Sequence, residues 1–469
     1  MPMLYYSHLL IFTLCVSIAG AADVVISPAT SADLSVNIAT GEATLPSGKP
    51  VAYAAAQLTF AAPEIRALTL DAKAPRNYAP WYESWADEWP DKDYKSGTIN
   101  AIALRPKADA DGALILGSLF RMVLPESVVV TNADRSKTFV MNIDYKYNLD
   151  YGQIANLDSR LGEEFKAELH IAYKYATQRL DLIQVSADGK ISVKKGTPMM
   201  VCPDLPEADA GCVALAGVYI APWKQGTNYA VTTENIYPIK SAPPVQPINR
   251  AALATTKRKL AAGHEVKFAF IGDSITVGAE AGTWWAGLWT DKNLGYPSRV
   301  VVSLRKQFPT ATITPIAAFQ GGTTTKYGVE ILEKNVLPAK PDLVVLSFMG
   351  NDASGPKNGP PNNPPEQFKE DMRAMIKKVK SANADVLLVI TISPNPLLKT
   401  VSLARLPAYR QAMLDLAKEE NVCAADCYTE WENQASRGYP PFSQMHNLVN
   451  HPGKVGHLLL ANVVLRCFE

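Results

Sequence analysis

After residue 250 the chain carries a series of short, nearly unbroken apolar runs, and these constrain its fold more than any other feature. The runs are Val266–Ile271, Thr312–Ala317, Leu343–Met349, Val386–Ile392 and Val422–Ala425. Runs of this length are typical of strands that are buried on both faces, as in a parallel sheet. The segments between the runs follow a helical period. Strands that alternate with helices predict an α/β domain of the doubly wound kind, with helices on both faces of the sheet.

Two of the intervening helices can be placed from residue spacing. One apolar helix face is formed by Phe368, Met372, Met375, Ile376 and Val379. A second helix is predicted from Ala404 to Glu420. Pro407 is expected in its first turn, because proline lacks the N–H that a later turn would use.

The first half of the chain has a different hydrophobic pattern, with apolar residues at every second position. Two strands are predicted from this alternation. Their inward faces would be Phe139, Met141, Ile143, Tyr145 and Tyr147 in one, and Ala167, Leu169, Ile171, Tyr173 and Tyr175 in the other. Asp188-Gly189 lies between two further runs and predicts a hairpin, because this pair tolerates positive φ. No long helical pattern interrupts these strands, so we predict an all-β, sandwich-like domain.

A Pro-rich segment, Ser241–Pro247, lies between these two parts of the chain and predicts a stiff linker. The predicted organisation is a signal peptide at 1–22, an all-β accessory domain at 23–240, a linker at 241–250 and an α/β domain at 251–469.

The first residues are typical of a secretory signal. Leu9–Val16 is apolar but too short to cross a bilayer, and Ala19-Gly20-Ala21 offers small residues for cleavage. The protein is therefore expected to be secreted, to an extracellular or periplasmic location; an uncleaved anchor is the alternative. No later run reaches about 18 apolar residues, so no membrane span is expected after signal removal.

The composition narrows the expected partners. Lys and Arg number 46 and Asp and Glu 45, which leaves a net charge of +1. Such a balance argues against nucleic acid or an anionic membrane as partner. Hydrophobic residues make up 47% of the chain, enough for a sizeable core.

Five cysteines would remain after signal removal, and their pairing is open. A local disulfide between Cys202 and Cys212 would fit an oxidising compartment. Cys423, Cys427 and Cys467 lie near the C-terminus, where one could pair with another. The alternative is that some of these side chains are small buried hydrophobes.

Three polar motifs follow predicted strands, where open α/β sheets bind their ligands, and a fourth precedes the last helix. They are Gly272-Asp273-Ser274-Ile275-Thr276, Gly321-Gly322-Thr323-Thr324, Gly350-Asn351-Asp352 and Asn450-His451-Pro452. Each alone has a structural explanation, such as a helix cap or a turn. Together and in this order, they indicate a catalytic site.

In these motifs the sequence resembles the SGNH (GDSL-type) hydrolase family, over residues 266–469. The resemblance implies a three-layer α/β/α, flavodoxin-like fold and ester hydrolysis through a serine acyl-enzyme. Ser274 would be the nucleophile and His451 the base, since an imidazole titrates near neutral pH. The N–H groups of Ser274 and Gly322 and the amide of Asn351 would bind the oxyanion.

The sequence departs from the family pattern at two places. Ala317-Ala318-Phe319 replaces the stretch in which the family usually has an Asn. Leu448 replaces the Asp that usually lies three residues before the histidine. We expect a Ser–His dyad whose imidazole is oriented by a neutral acceptor, with His446, Asn447 and Asn450 as polar candidates; a carboxylate from elsewhere in the fold is the alternative. Asp426, at the end of the fifth strand, is expected to be structural.

Two further clusters have alternative explanations. His446, His451 and His457 lie close together, but carboxylate and cysteine partners are missing nearby, so we expect no metal and no cofactor. Six of the eight Trp fall in two short stretches, Trp81–Trp89 and Trp284–Trp289. They would either pack in the interior or stack on sugar rings.

The predicted function is a secreted serine esterase that removes short acyl groups, with acetyl favoured, from a polysaccharide. Its partner would be an acylated carbohydrate or another small ester. The β domain would hold the glycan or form one wall of the cleft. One alternative is a lipase or lysophospholipase of the same fold. The other is a non-catalytic glycan-binding protein with a degenerate hydrolase domain.

Overall fold

The computed structural model describes residues 24–75, 77, 101–105, 121–148, 152–281, 287–355, 359–398 and 401–469. The predicted signal peptide lies outside the described residues. So do the aromatic residues from Trp81 to Trp89 and the pair Trp284 and Trp285.

The first half of the chain, called here the β region (residues 24–240), consists mostly of antiparallel strands, as predicted. Its strands are β1 Ile26–Pro28, β2 Ser35–Ile38, β3 Gly41–Thr44, β4 Pro50–Tyr53, β5 Ala56–Thr59, β6 Ile65–Lys73, β7 Ile102–Ala103, β8 Val129–Asn132, β9 Thr138–Phe139, β10 Tyr145–Asn148, β11 Gln153–Asn156, β12 Glu168–Ala176, β13 Arg179–Val185, β14 Ile191–Lys194, β15 Val213–Ile220 and β16 Ile236–Pro238. The larger sheets have the orders β6-β12-β8-β9 and β14-β13-β15-β16. Apolar residues of β2 and of β13 and β15 share one core, so two sheets of this region pack face to face.

Two of the predictions for this region are confirmed, and one is wrong. β12 buries alternate residues, and β13 and β14 pair across Asp188-Gly189, where Gly189 has φ +79°. The predicted strand from 139 to 147 is instead two short strands, β9 and β10, joined by a turn. Asn142 takes φ +64° in this turn, and the Asp144 carboxylate accepts the N–H of Val140 at 2.8 Å. This local bonding outcompetes the ladder that the alternation would form.

The second half, called the α/β region (residues 250–469), contains the predicted parallel sheet. Its strands are β17 Glu265–Gly272, β18 Thr312–Phe319, β19 Leu343–Ser347, β20 Asp385–Ile390 and β21 Cys423–Asp426, in the order β18-β17-β19-β20-β21. Its helices are α1 Ala254–Ala261, α2 Ser274–Val277, α3 Tyr296–Gln307, α4 Thr325–Ile331, α5 Gly350–Ala353, α6 Pro365–Ser381, α7 Val401–Glu419, α8 Cys427–Glu432 and α9 Lys454–Leu465. The predicted α/β/α fold class is confirmed.

The strand order places a topological switch point at the carboxyl ends of β17 and β19. The first strand, β17, lies between β18 and β19, so the connections that leave β17 and β19 diverge at their carboxyl ends. Ligands of open α/β sheets bind at such a switch point. α2 follows β17 there, and α5 follows β19.

The two predicted helices are present, with one correction. All five residues of the apolar face of α6 are fully buried. α7 begins at Val401, so Pro407 lies in its second turn rather than its first. The helix continues because Leu406, Tyr409, Met413 and Leu416 form a buried apolar face. Burial of that face compensates the hydrogen bond that proline cannot make.

The two regions are packed against each other. Tyr219 of β15 contacts Phe442 edge-on, with ring centroids 5.3 Å apart. Gln444 Nε2 donates to the carbonyl of Pro203 at 3.3 Å, in a buried position. The predicted linker is also held, since Val245 N–H donates to Glu430 Oε2 at 2.8 Å. The β region therefore contacts the segment that leads to His451.

Among the described helices, none combines the length and the apolar character that a bilayer crossing needs.

Candidate active site

Ser274 is the first residue of α2, directly after β17. Gly272 allows this tight strand-to-helix connection, since a Cβ there would overlap Thr276 Oγ1 and come within 2.6 Å of the Ser347 carbonyl. Asp273 caps the helix, and its carboxylate accepts the N–H of Ile275 at 2.9 Å. Burial raises the pKa of Asp273 to about 7. The local sequence therefore presents Ser274 at the switch point of the sheet.

The imidazole of His451 lies next to this serine. His451 Nε2 is 2.9 Å from Ser274 Oγ, although 177 positions separate the two residues in the chain. This is the distance at which a base can exchange a proton with a hydroxyl. The two residues that the sequence predicts as nucleophile and base are thus in direct contact.

The other ring nitrogen of His451 contacts a side-chain amide. Asn447 Nδ2 lies 3.1 Å from His451 Nδ1, and it also donates to Asn450 Oδ1 at 3.0 Å. The neighbour of Nδ1 is neutral, as expected, but it is a donor group instead of the expected acceptor. Of the three polar candidates, only Asn447 is hydrogen-bonded to the ring.

The loop around Asn447 closes on itself. Asn447 Oδ1 accepts the backbone N–H groups of Val449, Asn450 and His451 at 2.9, 3.0 and 3.0 Å. The N–H of His446 donates to the His451 carbonyl at 3.0 Å. These bonds fix both the loop and the direction of the Asn447 amide.

Leu448 and Asp426 lie away from the imidazole. Leu448 is fully buried in the apolar core, with φ +53°, and its carbonyl accepts Asn395 Nδ2 at 2.7 Å. Asp426 caps α8 through the N–H of Thr429 and binds Arg410 at 2.8 Å. Its role in the structure is therefore that of a helix cap, as expected from the sequence.

Three N–H donors belong to the motifs around Ser274, and a Cβ built on Gly321 would lie 3.7 Å from the Ser274 Cβ. Gly322 takes φ +77°, which favours glycine, and a Cβ built there would meet nothing within 4 Å. Asn351 Nδ2 donates one hydrogen to the Thr323 carbonyl at 3.0 Å, which orients the amide. For its second hydrogen, and for the N–H groups of Ser274 and Gly322, the described residues provide no acceptor. An oxyanion could take all three.

Asp352, the residue after Asn351, is hydrogen-bonded to Thr325. Its Oδ1 accepts the N–H of Thr325 at 3.0 Å and the Thr325 hydroxyl at 2.7 Å. Burial raises the pKa of Asp352 to about 6, against the lowering effect of the bonds from Thr325. Asp352 thereby ties α5, which carries the asparagine motif, to α4, which directly follows the glycine motif.

A buried carboxylate lies close to the imidazole, and sequence analysis missed it. Glu280 follows Ser274 by six residues, is 6% exposed and takes φ +66°. Its Oε2 is 2.7 Å from His446 Nδ1. Burial lowers the pKa of His451, while the charge of Glu280 acts in the opposite direction. No motif marks Glu280, so the sequence offered no signal for it.

The three clustered histidines have separate partners. His451 contacts Ser274, His446 contacts Glu280, and His457 Nδ1 accepts the N–H of Tyr296 at 3.3 Å. In the part of the chain that the structure describes, no group of three His, Cys, Asp or Glu side chains could hold a metal ion.

Trp289, the described member of the second tryptophan stretch, is half-buried and packs against the apolar core. Its ring centroid is 5.4 Å from that of Phe270 and 6.2 Å from that of Phe319. For Trp289, these contacts agree with packing rather than with stacking on a sugar ring. The other tryptophans of the two stretches lie outside the described residues.

Comparison with known proteins identifies the α/β region. Residues 270–459 match the model of the GDSL-like lipase/acylhydrolase family. No curated protein sequence matches the chain.

Solved structures similar to the chain include three esterase or hydrolase structures. LAE5, an α/β hydrolase from the metagenome of Lake Arreo, is 20% identical over 43% of this chain and 94% of its own, with a TM-score of 0.37. Axe2, an acetylxylan esterase from Geobacillus stearothermophilus, is 22% identical over the same shares, with a TM-score of 0.38. CEX, a two-domain esterase active on acetylated mannans, is 26% identical over 46% of this chain and 52% of its own, with a TM-score of 0.36.

The family match covers the segments that hold Ser274, Gly322, Asn351 and His451 in the geometry described above. Residues 270–459 are therefore a GDSL-like lipase/acylhydrolase domain.

Proposed function

We propose that this chain is a secreted serine esterase that removes short acyl groups, acetyl above all, from a polysaccharide. The observation that carries the proposal is the 2.9 Å contact between Ser274 Oγ and His451 Nε2. The N–H groups of Ser274 and Gly322 and one hydrogen of the Asn351 amide also have no acceptor among the described residues. A nucleophile, a base and an oxyanion site are the parts that acyl transfer requires.

The proposed reaction has two halves. In the first, Ser274 Oγ attacks the ester carbonyl and its proton passes to His451 Nε2. The oxyanion that forms lies against the N–H groups of Ser274 and Gly322 and the amide of Asn351. His451 then gives the proton to the leaving sugar oxygen, and the acyl group remains on Ser274. In the second half, water attacks this acyl-enzyme, and the acid and Ser274 are released.

The rim of the site favours a carbohydrate over a lipid. Gln320 and Asn362 are exposed beside the glycine and asparagine motifs, and Thr323 is half-buried there. Hydroxyl and amide groups at a rim can hydrogen-bond to a sugar, whereas they give no apolar contact to a long acyl chain. The substrate class is also that of Axe2 and CEX, but the proposal rests on the rim and on the catalytic geometry.

Secretion is part of the proposal because of the segment 1–22. Its apolar stretch and the small residues after it are those of a cleavable signal. N-terminal sequencing of the protein recovered from the medium or periplasm of an expressing cell would test this. A chain that begins at Ala22 or Asp23 is expected.

The activity is tested with a chain-length series of nitrophenyl esters, followed by acetylated xylan and acetylated mannan. We expect the highest kcat/KM on the acetyl ester and release of acetate from at least one polymer. Ser274→Ala should lower the rate by about 10⁴-fold or more. Ser381→Ala, at an exposed helix end, is the matched control. Rates that rise with chain length would favour the lipase alternative. Wild-type rates in Ser274→Ala would reject the nucleophile.

A further inference from the structure

We propose that Asn447 holds the neutral imidazole of His451 with its proton on Nε2, the nitrogen that faces Ser274. The resting enzyme would then be in the tautomer that cannot accept the serine proton. Asn447 is thus a positioning residue that restrains the reaction. This inference rests on the proposed roles of Ser274 and His451.

The direction of the Asn447 amide is fixed by its own loop. Its oxygen accepts three backbone N–H groups, from Val449, Asn450 and His451, at 2.9 to 3.0 Å. If the amide were reversed, an NH₂ group would face three N–H donors, and all three bonds would be lost. The nitrogen must therefore point towards His451.

Both hydrogens of that nitrogen are used. One is donated to Asn450 Oδ1 at 3.0 Å, and the other points to His451 Nδ1 at 3.1 Å. A ring nitrogen that accepts a hydrogen bond carries no proton, so the proton of the neutral ring lies on Nε2. Nε2 then donates to Ser274 Oγ across the 2.9 Å contact.

This tautomer has a chemical cost for the proposed reaction. Before His451 can accept the serine proton, Nε2 must lose its proton to water and Nδ1 must gain one from water. The new Nδ1–H would face the N–H of Asn447, so the amide must turn away from the ring. In a serine protease, an Asn in place of the triad Asp produces the same wrong tautomer and lowers kcat about 10⁴-fold.

No other side chain corrects this arrangement. Within the described residues, no carboxylate oxygen is hydrogen-bonded to His451. Leu448 points into the core, and the nearest acidic group acting on the ring, Glu280, is hydrogen-bonded to His446. Burial lowers the pKa of His457, and His451 lowers it further.

An Asn447→Asp substitution would complete a triad at this position. One carboxylate oxygen would accept the three N–H groups of the loop, and such bonds stabilise the charged form. The other oxygen would accept a hydrogen bond from Nδ1–H and so favour the tautomer whose proton is on Nδ1. The Asn450 amide would need to rotate, so that its NH₂ group and not its oxygen faces the carboxylate.

The first test reads the tautomer directly, without reference to activity. ¹⁵N spectra of histidine-labelled wild-type protein at pH 8 would show which ring nitrogen of His451 carries the proton, with His451→Gln to assign the signals. We expect a protonated Nε2 and an unprotonated Nδ1. A protonated Nδ1 in the wild type would overturn the proposal, whatever the activity of the protein.

The second test is a gain of function. Asn447→Asp should raise kcat on nitrophenyl acetate by at least tenfold and move the ring proton to Nδ1. Asn421→Asp adds the same charge at an exposed position at the opposite end of the sheet and should leave kcat unchanged. A folded Asn447→Asp protein with unchanged kcat would contradict the proposal. If Ser274→Ala retained activity, the proposed function would fail, while the ¹⁵N result would still decide the tautomer.

Discussion

The carboxylate of Glu280 and the imidazole of His446 form a buried hydrogen-bonded pair, with Oε2 2.7 Å from Nδ1. The pair lies beside the proposed base, because the N–H of His446 donates to the carbonyl of His451. Glu280 is held with φ +66°, a conformation that non-glycine residues rarely adopt. Strain of this kind persists only where the surrounding structure fixes it, and it is often found near functional sites.

Glu280→Gln should therefore change the pH dependence of the enzyme. Burial lowers the pKa of His451 from 6.5, and the charge of Glu280 partly offsets that effect. Without the charge, the pKa of His451 falls further, and the imidazolium formed during catalysis is less stable. We expect the acid limb of kcat/KM, which begins below pH 6.5 in the wild type, to move to still lower pH. We also expect kcat to fall about three- to tenfold, within the range of general acid–base effects.

The control for this substitution is Glu265→Gln, at the exposed start of β17. It removes the same charge far from the imidazole and should leave the limb in place. Thermal unfolding of both variants would show whether the fold is intact. A limb that stays at the wild-type pH in a folded Glu280→Gln protein would rule out an electrostatic role for Glu280.

Asn351→Ala should lower kcat and leave KM almost unchanged. The amide has one hydrogen on the Thr323 carbonyl and one free for the oxyanion, which exists only in the transition state. Loss of one such donor typically lowers kcat about 10²–10³-fold. Steady-state kinetics on nitrophenyl acetate would measure both constants. Asn362→Ala, which removes a bond to the Asn351 carbonyl but no oxyanion donor, should have a much smaller effect. A change confined to KM would assign Asn351 to ground-state binding.

His457 should contribute to the pH dependence of the free energy of unfolding. Burial lowers its pKa to about 3, from 6.5 in the unfolded chain. Between these values the unfolded state binds one more proton than the folded state, so the free energy of unfolding rises with pH. The slope approaches 1.4 kcal/mol per pH unit for one proton. Asp273 and Asp352 act in the opposite sense, because burial raises their pKa values to about 7 and 6.

Comparison of wild type with His457→Gln isolates this contribution, since the two carboxyl groups are common to both proteins. Urea unfolding at pH 4.5, 5.5 and 6.5 should give a slope of unfolding free energy against pH that is lower in the variant than in the wild type, by up to about 1.4 kcal/mol per pH unit. The comparison uses slopes, so a general loss of stability in the variant does not affect it. Parallel slopes would mean that His457 is not the buried neutral group described here.

Much of the α/β region follows from the sequence, because its signals are local. Five apolar runs predict five strands, and the residues after them converge because parallel strands end at one edge of the sheet. The surroundings of His451 do not follow in the same way. The direction of the Asn447 amide depends on three backbone N–H groups that only the folded loop brings together. Glu280 reaches His446 across 166 positions, and no pattern in the sequence connects them.

Two errors of sequence analysis concern secondary structure, and their physical causes are similar. Alternation over residues 139–147 predicts one strand, but Asn142 and Asp144 form a turn with their own backbone. Pro407 predicts a helix start at Ala404, but α7 begins three residues earlier, at Val401, and burial of its apolar face compensates the hydrogen bond that proline cannot make. In both segments a competing interaction outweighs the simplest pattern.

The last prediction concerns the support that the β region gives to the histidine loop. Gly453 lies two residues after His451 and begins α9 with φ −78°, a value that alanine adopts freely. A Cβ at this position would overlap Sγ of Cys202, in the β region. Gly453→Ala should therefore displace the loop and lower kcat/KM about tenfold, without backbone strain.

The double variant Cys202→Ala/Gly453→Ala removes the overlap and should recover most of the activity, whereas Cys202→Ala alone should change little. The test measures kcat/KM and thermal unfolding of all four proteins. Non-additive effects of the two substitutions are expected only if the residues are in contact. Additive losses would mean that the β region does not position His451 through this contact.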